Sequence, residues 1–235
     1  MTQSKKIIWY PDKETIAQNK AEYKKFQLVY YTPIEELLNA LTHALGIIAA
    51  FIGFGFMLHY SSNPSQYVAS VIVFLGFFAL FTNSTAYHAT YKIPVKKYLR
   101  VFDHATVNTL VFACGVTACL CTSNHPFNYV AVGISCAVII LSYILSLISL
   151  KKFSVFIFFN NFIIGFMLLA VYIINLEYIP KIVSHISLAG VILCVTGSIV
   201  YTIKKPFIHT IFHIFVLIGP LCFLAAQILF LKYVA

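Results

Sequence analysis

Long apolar runs dominate the chain, and their length limits what it can fold into. A helix needs about 20 mostly apolar residues to cross the hydrocarbon core of a bilayer. Seven stretches meet that need, at about 36–60, 67–90, 101–121, 127–149, 153–174, 184–203 and 209–231. The connections between them are short, so the expected fold is all-α. It is a polytopic membrane protein with one seven-helix transmembrane domain over 33–235, preceded by a polar N-terminal segment over 1–32. Composition agrees, because only 10% of residues are charged and 60% are hydrophobic. A soluble domain carries about 25% charged residues, so this chain has too little polar surface to face water. The first 30 residues are polar and lysine-rich, with no signal-peptide pattern, so the first span is expected to act as its own insertion signal. That span has a clear start, with Thr32 as N-cap, Pro33 at the first helical position and Glu35 three residues after the cap.

The formal charge of +9 does not mark a nucleic-acid binder, because the basic residues form no single patch. They fall in the N-terminal segment (Lys5, Lys6, Lys13, Lys20, Lys24, Lys25) and in alternate connections: Lys92, Lys96, Lys97 and Arg100, then Lys151 and Lys152, then Lys204 and Lys205. Fourteen of the sixteen basic residues thus collect on one side, leaving Lys181 and Lys232 on the other. Positive charge marks the cytosolic face, so the expected orientation is N-terminus cytosolic and C-terminus outside. Membrane lipids are the expected surroundings; the oligomeric state is not set by the sequence. The six cysteines lie inside apolar runs without CxxC pairing, which fits buried thiols better than a disulfide or zinc–thiolate framework.

This topology brings scattered polar residues to one depth. The second span ends with "STAYHAT", which carries Ser84 and His88. The third is expected to open near Asp103, where the helix dipole would favour a carboxylate. The seventh begins "HTIFH", with His209 and His213 four apart, on one helix face and about 6 Å apart along the axis. Three imidazoles, a carboxylate and a hydroxyl would meet near the cytosolic interface. Three histidines suit a catalytic zinc, whose fourth position is left for water, and zinc lowers that water's pKa to about 7. Asp103 would hold the water, act as general base or orient a histidine, and Ser84 would donate to an oxyanion. No glutamate stands within "HTIFH", so this is not the HExxH protease motif. Interfacial histidines also snorkel or bond neighbouring helices, and spacing alone leaves both readings open.

Glu36, Asn39 and His43 form a second set on one face of the first span, with helix packing as the expected role and support of the metal site as the alternative. His104 points about 100° away from Asp103 around the helix and is left out of the ligand set. His59, His125 and His185 fall near the outer face. The middle of the seventh span has no lysine, which argues against a retinal Schiff base, and the cores of spans four to six carry no charge for a proton relay.

The order "EELLNALTH", "STAYH", "FDHATVNTLVFA" and "HTIFH" resembles the hemolysin III branch of the progestin and adipoQ receptor family, over nearly all the chain from Pro33 onward. The resemblance implies a zinc site near the cytosolic face, with His88, His209 and His213 as ligands, Asp103 beside them and Ser84 one turn before His88. It also implies a place in a bacterial inner membrane. The wider superfamily includes alkaline ceramidases, which implies hydrolysis of a lipid amide or ester by zinc-activated water. Two other functions compete with this one: a non-enzymatic receptor or sensor with structural zinc, and a pore-forming hemolysin. The pore is disfavoured because no span carries a sustained polar stripe through its outer half.

Overall fold

A computed structural model of the chain describes residues 11–234. Lys5 and Lys6, which contributed to the charge count, lie outside the described residues. Among the described residues eight α-helices follow one another: α1 Lys13–Lys25, α2 Pro33–Tyr60, α3 Pro64–Ala89, α4 Ile93–Ala113, the short α5 Val116–Cys121, α6 Pro126–Ile174, α7 Lys181–Tyr201 and α8 Ile208–Val234. A single 3-10 turn, Leu176–Tyr178, joins α6 to α7.

Among the described residues six helical stretches are long and apolar enough to cross a membrane, rather than the seven separate segments expected. The difference lies in α6, whose 49 residues contain both the fourth and the fifth expected spans. A straight helix of that length would run about 73 Å, against a hydrocarbon core of about 30 Å. It is not straight, because Ser149 has extended backbone angles (φ −166°, ψ 97°) inside it. The Asn160 side chain donates to Ser142 Oγ at 2.7 Å, and Asn175 Nδ2 donates to Asn128 Oδ1 at 2.9 Å. The first pair would stand about 27 Å apart on a straight helix and the second about 70 Å. The chain therefore doubles back at Ser149, and 126–148 lies against 150–174. No proline or glycine marks the reversal.

The third expected span also needs correction. Its expected bounds are 101–121, but α4 begins at Ile93, with Pro94 in its first turn. Asp103 is then the eleventh residue of the helix rather than its opening, so the N-terminal dipole does not reach it. Lys96, Lys97 and Arg100 are likewise helical and not part of a loop.

The helices pack in a pattern set by apolar surface turned outward. On α2, Leu37, Leu41, Leu45, Ile48 and Ile52 are exposed, while Glu36, Asn39, His43, Gly46, Ala50 and Gly53 are buried. Both sets recur at helical spacing on opposite faces. In water this arrangement would be inside out; in hydrocarbon it leaves apolar side chains to lipid and gathers small and polar residues at helix contacts. Helix α2 packs against both α3 and α8, α3 against α4, α4 against α6, and α7 against α8. Close packing of α3 on α4 depends on Gly76, where a Cβ would sit 2.4 Å from that of Ala113 and 3.1 Å from the Thr109 carbonyl oxygen. The helix carrying Glu36, Asn39 and His43 thus stands between the two that carry the histidines.

Candidate metal centre

The start of α2 fixes the start of α8. Thr32 and Glu35 form the expected capping box, in which the Thr32 N–H donates to Glu35 Oε2 at 2.9 Å. The other oxygen of Glu35 accepts from the backbone N–H of Phe207 at 2.7 Å, one residue before α8 begins. One side chain therefore holds both helix entrances together and sets the height of His209. One turn further in, Thr210 Oγ1 donates to Asn39 Oδ1 at 2.6 Å, a second link between the same two helices.

His88, His209 and His213 come together in this frame, each offering a ring nitrogen within 4.8 Å of the others. His88 and His213 are buried and His209 is half-buried. His209 Nε2 and His213 Nε2 lie 3.1 Å apart. That is close to the edge of about 3.3 Å expected for two imidazoles on one tetrahedral zinc with bonds of about 2.0–2.1 Å. The Nδ1–H of His88 donates to Glu36 Oε2 at 2.6 Å, which leaves Nε2 with its lone pair, buried and without a partner. His213 Nδ1, on the ring edge away from the Nε2 that meets His209, is also buried and unpartnered. A buried polar atom without a partner costs about 1–3 kcal/mol, a cost that a ligand at His88 Nε2 would remove. Three imidazoles whose ring nitrogens group this closely, one of them backed by a carboxylate, form a donor set that fits a divalent transition metal.

Glu36 thus bonds one of these histidines across the α2–α3 contact, a bond that serves helix packing and support of the histidine alike. Its other oxygen lies 2.9 Å from the Lys96 ammonium. His43, also expected to pack, stacks its ring on that of His213 with centroids 3.9 Å apart. Both of its ring nitrogens are buried without partners, yet it stands outside the group of three. Ser84 is buried one turn before His88. Asp103 is half-buried on α4 and is not one of the grouped ligands. Its charge does reach Tyr31, whose phenol is pushed well above its ordinary value, first by burial, then by Tyr87, Tyr201, Glu36 and Asp103. Tyr31, just before α2, stacks on His209 with centroids 4.6 Å apart and rings 15° from parallel. No sequence signal singles it out, because a lone tyrosine in a polar N-terminal segment belongs to no motif or periodic pattern.

With this geometry in view, comparison with known proteins gives one answer. A family model described as haemolysin-III related matches residues 31–224, a range that holds every residue of the site. The chain belongs to the haemolysin-III related family. Among its relatives, Hemolysin-3 of Bacillus cereus is 26% identical over 189 residues, covering 79% of this chain and 86% of that protein. The Hemolysin-3 homolog of Bacillus subtilis (strain 168) is 25% identical over 200 residues, covering 80% of this chain and 91% of that protein. No solved structure matches the chain. Family membership and the six apolar helices make this haemolysin-III related chain a multi-pass cell-membrane protein.

Asn39 tests how the frame holds α8. Asn39→Ala leaves the Thr210 hydroxyl without its acceptor, and hydrogen bonds between membrane helices are worth about 1–2 kcal/mol at most. The expected result is a fall of a few degrees in the thermal midpoint of detergent-purified protein. An unchanged midpoint would show that the Thr210 bond does not couple the helices.

Proposed function

We propose that this chain is a zinc-binding membrane protein with seven crossings, N-terminus cytosolic and C-terminus outside, that hydrolyses a lipid amide or ester. The carrying observation is three imidazoles grouped inside an apolar bundle, with Glu36 holding the back of His88. His88, His209 and His213 would hold the zinc. The ion would supply Lewis acidity and bring a water's pKa down to about 7.

The remaining roles belong to the chain's own groups. Asp103 on α4 would take the proton of the attacking water. Ser84 would donate its hydroxyl to the oxyanion as the carbonyl becomes tetrahedral. An apolar substrate suits the surroundings, because the helices bearing the site expose leucine, isoleucine and phenylalanine to lipid. The reversal at Ser149, followed by the exposed Lys151 and Lys152, supports counting α6 as two crossings with a cytosolic bend. Residues 1–32 would then be a cytosolic segment. It meets the bundle where Arg100 donates to the Gln27 carbonyl and Tyr31 covers His209.

A specific observation favours a second reading. His88 is 0% exposed, His213 is 2% exposed, and Tyr31 stacks over His209. Such enclosure suits a structural zinc that fastens α3 to α8 in a receptor or sensor.

Hydrolysis of a series of lipid amides and esters by purified, zinc-loaded protein separates the two readings. The enzyme reading expects turnover in wild type and a loss of about 100-fold or more in Asp103→Ala, with zinc retained. Unchanged turnover in that variant removes Asp103 from its role, and no turnover on any substrate by wild type favours the sensor. Orientation has its own test. A C-terminal alkaline phosphatase fusion should be active, since that enzyme matures only outside the cytosol; an inactive, stably expressed fusion contradicts the topology.

A further inference from the structure

Lys96 behaves unlike the other basic residues of its region. Lysines near membrane helix ends usually extend toward water, and its neighbours Lys92 and Lys97 are exposed. Lys96 turns inward instead and is 1% exposed. Its ammonium donates to the carbonyl oxygens of Tyr87 at 2.8 Å and Thr90 at 3.2 Å, and lies 4.3 Å from the centre of the Tyr87 ring. Its contact with Glu36 Oε1 at 2.9 Å is one of charge rather than an aligned hydrogen bond.

These contacts converge on one ligand. Tyr87 and Thr90 flank His88 at the end of α3, so the two carbonyl bonds tie down the turn that carries it. The Glu36 carboxylate accepts the Nδ1–H of the same histidine. The chain of contacts runs from α4 through α2 to α3, and all three groups in it are buried: His88 0%, Glu36 2% and Lys96 1% exposed. A buried carboxylate requires a compensating cation, and Lys96 supplies it on the oxygen that faces away from the imidazole.

We propose that Lys96 is a positioning residue of the metal centre, holding Glu36 in the rotamer that fixes the His88 ring with Nε2 turned toward the metal. The inference rests on the reading of the three histidines as zinc ligands and extends it to a residue on a helix that carries none of them. Partners that orient a metal-binding histidine commonly change affinity 10- to 100-fold when removed, which sets the expected scale.

The test measures zinc affinity by competition with a chromophoric chelator, and the visible absorption of the Co2+ form, in wild type, Lys96→Met, Glu36→Gln and the double variant. Lys96→Met should bind zinc about 10- to 100-fold more weakly and shift the cobalt bands. If Lys96 acts through Glu36, the double variant should bind no more weakly than Glu36→Gln alone. Wild-type affinity and cobalt spectrum in Lys96→Met would overturn the proposal and leave the metal site standing, and multiplying losses in the double variant would do the same. Should Lys96→Met fail to fold, the comparison of Glu36→Gln with the double variant decides, since the double removes both buried charges. A wild type that binds neither ion overturns the metal reading and this inference together.

Discussion

The hydrogen bond from His88 to Glu36, 2.6 Å long and closed to solvent, is the contact on which the arrangement depends. Lipid gives apolar helices no reason to prefer one neighbour over another, so polar and close-packed contacts decide which faces meet. Here one glutamate faces a histidine from α3 and a lysine from α4, while the residue before it, Glu35, ties the entrance of α8 to that of α2. Asn39 and His43, one and two turns further along α2, continue the same face against Thr210 and His213. Helix α2 therefore carries none of the grouped ligands yet touches the helices of all three. The enclosure that follows has a chemical effect: the buried rings of His88 and His213 and the half-buried His209 are left with each other, or with an ion.

Much of this was legible in the sequence, for identifiable reasons. The start of α2 follows from capping chemistry confined to four residues, and the structure has the cap at Thr32 as expected. His209 and His213 come together because a four-residue step on a helix fixes their relation without further information. His88 joins them because helix ends on one side of a membrane share a depth.

What escaped the sequence depended on which side chains turn inward. Basic residues at 92–100 suggest a connection, since positive charge near an apolar run usually marks its edge; Lys96 breaks that rule because Glu36 compensates it inside the bundle. The start of α4 at Ile93 moved with it, and so did the place of Asp103 along the helix. The reversal at Ser149 carries no proline or glycine, so the chain reads there as two spans with a short polar joint, whereas the helix is interrupted at one residue. Tyr31 was invisible for a different reason: a tyrosine in a polar segment carries no periodic signal, and only the fold brings it over His209.

The most direct test of the proposed centre is metal content by mass spectrometry, on protein purified without chelator, for wild type, His88→Ala and His209→Ala. The histidine group predicts about one zinc per wild-type chain and loss of the metal from both variants, because each removes one of three ligands. Wild-type protein without metal, or variants that keep it, would contradict the account and return these histidines to helix packing.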